Sequence, residues 1–334
     1  MGRAKYQRIN EVFFLLSQAN DFCEKILLYP ILQGADHLRI VSGYATHTMA
    51  SWHIAEIKER FGTSIDIDLI VGMCVLDGLS SAVHEGFKEI MRHRQTTAQS
   101  RLTCKYVVEG KPVHTKLYLW EKNGNPFCAY MGSANYTQPA FLGLRREAME
   151  ECDPMAARDY LEGLESDTMY CNHAEVEDKI IITKSHPVLE TEEAPAISLR
   201  GAGIQNVTLS LLARGGETGR RSGLNWGQRD GREPNQAYIP LPAAVARSGF
   251  FPLNRRQFSV LTDDGIQLIL RVEQQNDKAI TTPLNNSQIG EYFRRRIGVA
   301  NGAFISKSDL EDYGRTNVVF YKLDEEQFFM DFSV

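Results

Sequence analysis

The chain has 334 residues, 43% of them apolar and 24% charged, and a formal net charge of −5. That length suits two domains of ordinary size, and the composition is that of a folded, water-exposed protein rather than a disordered or fibrous one. A net acidic chain is excluded as a uniformly basic nucleic-acid coat, although a local basic surface remains compatible with it.

No apolar run approaches the length that spans a bilayer, and the opening Met1-Gly2-Arg3-Ala4-Lys5 lacks the apolar core of a secretory leader. The expectation is a cytoplasmic protein without membrane association. Six cysteines stand without C-x-x-C spacing and mostly within apolar runs, which reads as reduced, buried thiols and gives no sign of zinc or a disulfide framework.

Taken in order, residues 38–42 (LRIVS) read as a strand, 49–60 as an amphipathic helix, 64–72 (SIDIDLIVG) as a strand and 79–94 as a second helix. Three strands follow at 102–108, 114–121 and 127–131. The last two are joined by Asn123-Gly124-Asn125-Pro126, a hairpin turn signal. A helical pattern at 155–169 closes an α/β region. Residues 187–195 (PVLETEEAP) then place two prolines and three acids together, which is linker chemistry. The expected division is a first domain over 1–186, a linker over 187–200 and a second domain over 201–334.

Beyond the linker, short β-prone runs at 207–213, 237–241, 257–261, 266–272, 318–323 and 328–332 alternate with turn residues, as in a small barrel or sandwich. No repeat of fixed period is visible in either half.

Chemistry concentrates at His114-Thr115-Lys116. Residues two apart on a strand leave the same face, so imidazole and ammonium can meet one phosphate together. One hairpin later, Gly132-Ser133-Ala134-Asn135 offers close backbone approach and hydrogen-bond donors. A nucleophile, a cation and amide or hydroxyl donors can carry out phosphodiester attack without a metal.

H-x-K, a hairpin turn and G-S-x-N resemble the signature of the phospholipase D superfamily. The resemblance implies that His114 attacks phosphorus and becomes a phosphohistidine, with Lys116, Ser133 and Asn135 around the phosphate. Two departures stand out: Glu121 occupies the place of the family's structural aspartate, and the spacing from there to G-S is a few residues longer. In the nuclease branch a glutamate some dozen residues after the asparagine orients the histidine. Glu147 fits that spacing, with Glu150 as the fallback. No other histidine is followed two residues later by lysine. A superfamily site takes two such histidines, so a homodimer with one composite site is implied.

The second half chooses the phosphodiester. Residues 213–236 form a long stretch with six glycines, five arginines (Arg214, Arg220, Arg221, Arg229, Arg232), Asn225, Asn235, Gln228, Gln236 and Trp226. Arginine suits guanine, and asparagine or glutamine suits adenine, in groove readout. A second polar stretch with Gln274, Gln275, Asn276, Lys278 and Thr281 supplies an opposing arm.

Ile239-Pro240-Leu241-Pro242, Gly249-Phe250-Phe251-Pro252, Lys278-Ala279-Ile280-Thr281, Asn285-Asn286-Ser287, the runs 290–298 (GEYFRRRIG) and 309–316 (DLEDYGRT), and Asp331-Phe332-Ser333 are similar to the C-terminal domain of NgoFVII-type restriction endonucleases. This resemblance implies an α/β phospholipase D-like layer domain followed by an all-β, B-three-like pseudobarrel that grips double-stranded DNA with two arms. The activity implied is site-specific, metal-independent restriction cleavage with no cofactor. The chain has no P-loop, so any ATP dependence of the kind seen in some relatives would come from a separate helicase-like ATPase subunit. Two other functions are weighed: a DNA-binding regulator with an inactive nuclease domain, and a lipid-directed phospholipase D. Arg294, Arg295 and Arg296 are left as phosphate contacts or solvated helix residues.

Overall fold

A computed structural model describes residues 15–17, 21–93, 100–183, 195–283 and 285–334. Residues 1–5, Arg94 at the end of the second expected helix, and 187–194 of the expected linker lie outside the described residues.

In chain order the first half runs β1 (Leu15–Ser17), a π-helical turn (Glu24–Leu28), α1 (Tyr29–Leu32), β2 (His37–Ser42), α2 (His47–Phe61), β3 (Asp66–Val71), β4 (Leu79–Ser80), α3 (Ser81–His93), β5 (Arg101–Val107), β6 (Lys116–Lys122), β7 (Asn125–Gly132), α4 (Gln138–Phe141), β8 (Ala148–Cys152), α5 (Pro154–Leu164), β9 (Thr168–Tyr170), α6 (Val176–Lys179) and β10 (Ile182–Thr183). The second half runs α7 (Pro195–Gly201), β11 (Asn206–Ser210), β12 (Ile239–Pro240), α8 (Ala243–Arg247), β13 (Gln257–Thr262), β14 (Gln267–Glu273), β15 (Ala279–Thr281), α9 (Gln288–Ile297), α10 (Lys307–Tyr313), β16 (Asn317–Lys322) and β17 (Gln327–Asp331). No helix among the described residues is long and apolar enough to cross a membrane.

Two compact units interleave along the sequence. One takes residues up to 45, 65–74 and 101–170; the other takes 46–64, 75–100 and 171–334.

In the first unit, eight described strands form one sheet in the order β1-β8-β7-β6-β2-β3-β5-β9. β2, β3 and β5 run parallel, while β6 joins β2 antiparallel and opens the β6–β7–β8 meander. β6 is buried along all but its last residue, which explains its near-continuous apolar run where an edge strand would alternate. Asn123 and Gly124 both take positive φ, the backbone that a two-residue hairpin turn needs to match strand twist. Val41, Ile70, Val107, Leu117, Leu119, Ala157 and Leu161 form one core layer of this unit. Glu121, in the place of the family's aspartate, is buried and meets His37, Arg39 and Arg158 at 3.2, 3.7 and 3.5 Å, an internal ion cluster.

The second unit carries a seven-stranded sheet in the order β11-β16-β17-β13-β14-β15-β12, antiparallel except for the pair β13 and β17. Its edge strands β11 and β12 touch, so the sheet nearly closes on itself. Phe250, Phe251, Phe258, Phe320 and Phe328 interlock in its core, with ring centroids 4.8 to 5.6 Å apart. β15 stands inside what the sequence suggests is a polar loop. Three residues give too short a period to read, and its burial comes from pairing with β14 and β12.

Helices α2 and α3, although they precede residue 187, share this unit with the barrel. Arg271 donates to Glu59 at 3.0 Å, Arg255 pairs with Glu56 at 3.2 Å and with Glu59, and Thr48 bonds Glu326 at 3.1 Å.

Candidate active site

His114 precedes β6 by two residues, so it does not lie on the strand as its spacing suggests. The consequence expected of a shared face still holds. Lys116 Nζ lies 3.0 Å from each ring nitrogen of His114 and donates to its carbonyl oxygen at 2.6 Å. His114 is exposed and Lys116 is buried. Burial pushes the Lys116 ammonium below its ordinary pKa, opposed by the negative charge of Glu147. An exposed imidazole is thus backed by a largely desolvated cation, the pairing a phosphoryl group requires.

The next strand ends at Gly132, where a β-carbon would fall 2.2 Å from the Ala148 carbonyl oxygen; only glycine allows β8 so close. That approach lets the Ser133 amide donate to Ala148 O at 3.0 Å and the Ala148 amide donate to Ser133 Oγ at 3.1 Å. Ser133 Oγ in turn donates to the Glu147 carboxylate. Glu147 therefore joins the constellation through Ser133 and through its field on Lys116. Glu150 is exposed within β8, in register with Met131.

Asn135 is held by its oxygen. Oδ1 accepts from the Tyr44 amide at 3.1 Å and lies 3.3 Å from Ser42 Oγ. Ser42, the last residue of β2, is opposite Lys116 in the β2–β6 register. The Tyr44 ring stands edge-on to His114, with centroids 5.7 Å apart. Ser42 and Tyr44 carry no motif. Their one clue is position, at the carboxyl end of a parallel strand, where open α/β sheets place their ligands.

The DNA-facing candidates separate into two groups. Arg214, Arg220, Arg221, Arg229 and Arg232 are exposed. Arg232 lies over the Trp226 ring at 3.9 Å, and Arg229 donates to the Arg221 carbonyl at 2.8 Å. The amides of the same stretch are turned inward. Asn225 is fully buried, donating to Gly219 O and Ile305 O and accepting from Ile305 N. Asn235 Oδ1 accepts from Gly302 N at 2.7 Å, and Gln228 donates to Gly302 O at 2.9 Å. These three stitch the loop to residues 302–305.

In the second stretch Gln275, Asn276 and Lys278 are exposed on the β14–β15 hairpin and Gln274 is half-buried. Thr281 is 1% exposed within β15 and donates to Glu273 at 2.6 Å. As positioned, Asn225 and Thr281 cannot reach a base edge, because folding has already used their polar atoms.

In the arginine triplet Arg294 and Arg296 are likewise turned into the fold, while Arg295 is exposed. Arg294 is fully buried and donates to the carbonyls of Ala303, Gly290, Leu224, Pro234 and Asn235. Its burial lowers its pKa, against the charges of Glu233 and Glu291. Arg295 pairs with Asp264 at 2.7 Å and Arg296 with Asp263 at 2.7 Å.

One group with metal-ligand atoms occurs among the described residues: His84, Glu85 and Glu177, within 4.8 Å of one another. Lys88 already donates to both carboxylates, at 2.8 and 3.1 Å. None of the six cysteines forms a disulfide; Cys74, Cys104 and Cys171 are buried, and Cys23, Cys128 and Cys152 are half-buried.

Residues 20–178 match the family model described as the NgoFVII restriction endonuclease N-terminal PLD domain, and residues 199–324 match the NgoFVII C-terminal B3-like DNA-binding domain. No curated protein matches the chain. Among solved structures, NucT from Helicobacter pylori is similar at 12% identity and a TM-score of 0.33, covering 47% of this chain and 98% of its own. Nuc from Salmonella typhimurium, titled a phospholipase D family member, is similar at 12% identity and a TM-score of 0.33, covering 47% and 96%.

Proposed function

The chain belongs to the NgoFVII restriction endonuclease family and is a DNA phosphodiester hydrolase, and from that premise we propose a site-specific type II enzyme that cuts through a phosphohistidine without a metal. The observation that carries this reading is the seating of Lys116 Nζ at 3.0 Å from both ring nitrogens of an exposed His114.

A ring nitrogen of His114 attacks phosphorus in line, forming a P–N bond as the P–O bond to the leaving strand breaks. Lys116 and the Asn135 amide nitrogen meet the charge that develops on the non-bridging oxygens. Ser133 and Glu147 fix the backbone and field around them. The leaving oxygen takes a proton from His114 of a second copy, since one chain supplies one H-x-K motif. Water, giving up its proton to that same imidazole, then breaks the P–N bond and frees both the phosphate end and His114.

The nuclease domain is assigned to residues 1–186, a linker to 187–200 and the recognition domain to 201–334 of a cytoplasmic homodimer. The exposed arginines of residues 213–236 and the 274–278 hairpin act as the two arms on double-stranded DNA. No step uses ATP; any such dependence would come from a separate helicase-like ATPase subunit.

The test is a digest of DNA of known sequence in EDTA with the fragment ends mapped. Discrete ends at a recurrent distance from one sequence are expected. Silence in EDTA with cutting restored by magnesium overturns metal independence. No cutting in either buffer, together with sequence-specific binding, identifies a regulator, and hydrolysis of phosphatidyl substrates alone identifies a lipase. Mixing wild-type with His114→Ala chains should give strongly impaired heterodimers; a fully active isolated monomer contradicts the composite site.

A further inference from the structure

We propose that Ser42-Gly43-Tyr44 is a positioning element of the phosphoryl site, clamping Asn135 by its oxygen so that its amide nitrogen is the end presented to the substrate phosphate. This rests on the reading of Asn135 as a phosphoryl-oxygen donor.

The chemistry of the contacts decides which end of the amide is held. The Tyr44 N–H points at the Asn135 side chain at 3.1 Å, and the Ser42 hydroxyl lies 3.3 Å away. A backbone N–H can only donate, so its partner must be the carbonyl oxygen rather than the NH2 group. Ser42 is 0% exposed and acts as a junction. Its oxygen accepts from the Tyr136 amide at 2.9 Å, and its one proton goes chiefly to the Tyr44 carbonyl at 2.6 Å. Tyr136, which follows Asn135, and Tyr44, whose amide holds the Asn135 oxygen, are therefore tied to the same hydroxyl, and Ala45 and Tyr136 extend the tie as a parallel bridge.

The same turn bounds the nucleophile. A β-carbon at Gly43 would come 3.0 Å from His114 Cδ2 and 3.3 Å from its Cα, so the ring is seated against bare backbone. Tyr44 closes the adjacent side edge-on, at 80°. Donors fixed before substrate arrives need no reorganisation as charge develops, which is how a residue that never touches phosphate can change kcat.

The experiment is cleavage by the full-length protein, with kcat and KM measured for Ser42→Ala, Asn135→Ala and the double variant, and melting temperatures alongside. Ser42→Ala should lower kcat about tenfold with KM within about twofold of wild type. In the Asn135→Ala background the same change should cost less than about twofold, because the group it positions is gone. Ser42→Thr, which keeps the hydroxyl, should recover most of the rate. A full tenfold loss in both backgrounds makes Ser42 merely structural and overturns the proposal, as does no loss in either. If Asn135→Ala cuts like wild type, the reading of the site fails first and this inference falls with it. Should Ser42→Ala not fold, Ser42→Cys answers instead, since it keeps the size and weakens the hydrogen bonds. A native melting temperature with kcat lowered in the wild-type but not in the Asn135→Ala background supports the clamp, and an equal loss in both backgrounds, or none in either, refutes it.

Discussion

The strand-end site and the arginine-rich loop use their polar side chains differently. At the strand ends, Lys116 opens β6, His114 precedes it, and Ser133 and Asn135 follow β7. Ser133 Oγ and Asn135 Oδ1 each bond a neighbouring backbone amide, while the His114 ring stays exposed. Residues 213–236 carry no strand or α-helix, only a 3-10 turn at Gly223–Gln228, so much of their own polar inventory goes into holding the loop together. Asn225, Gln228 and Asn235 bond backbone that a ladder would have satisfied. The strand ends leave an imidazole outward; the irregular loop turns its amides inward.

The largest expected effect lies on the strand-end side. His114→Ala should reduce cleavage by about a thousandfold or more while leaving affinity for DNA unchanged, as measured by single-turnover cleavage and filter binding. Residual cutting near the wild-type rate would remove the basis of the comparison. Next in size is the anchor of the loop. Arg294→Leu strands five carbonyls and should destabilise the fold by about 3 kcal/mol or more, read as a lower denaturation midpoint together with lost binding. Arg220→Ala and Arg229→Ala should each weaken specific binding by about 1–3 kcal/mol with no change in melting temperature. Loss of stability in these two would mean that the loop arginines, too, are structural.

A separate effect, on stability against pH and absent at neutral pH, centres on a buried histidine. His47 is fully buried beside Phe87 and Gln267, and burial pushes its pKa down to about 3 from 6.5. The unfolded chain binds a proton there below pH 6.5 and the native one does not. Stability should therefore fall by about 1.4 kcal/mol per pH unit between 6.5 and about 3. His47→Gln should flatten that part of a melting-temperature profile.

Much of the scaffold is legible from the residues because its signals are local. Alternation marks β2 and β3, the Asn123-Gly124 turn marks the β6–β7 hairpin, and the spacing of H-x-K to G-S-x-N marks the strand ends on which the candidate site is built. Local signals fail where burial is decided elsewhere. Three residues of β15 carry no period of their own. Arg294 has the composition of a phosphate contact and the environment of a core residue. Ser42 and Tyr44 stand more than 90 residues from Asn135 in the chain and carry no mark of any partnership.

The sequence by itself determined which residue types are available for chemistry, the single copy of the motif and the plan of α/β region and small barrel. These depend on residue identity and short-range pattern. Tertiary structure alone decided which polar groups remain outward, that α2 and α3 share a unit with the barrel, and that β2 delivers a clamp to Asn135. Each of those outcomes depends on which distant backbone donor or acceptor a side chain meets, and a buried polar atom must meet one wherever along the chain it lies.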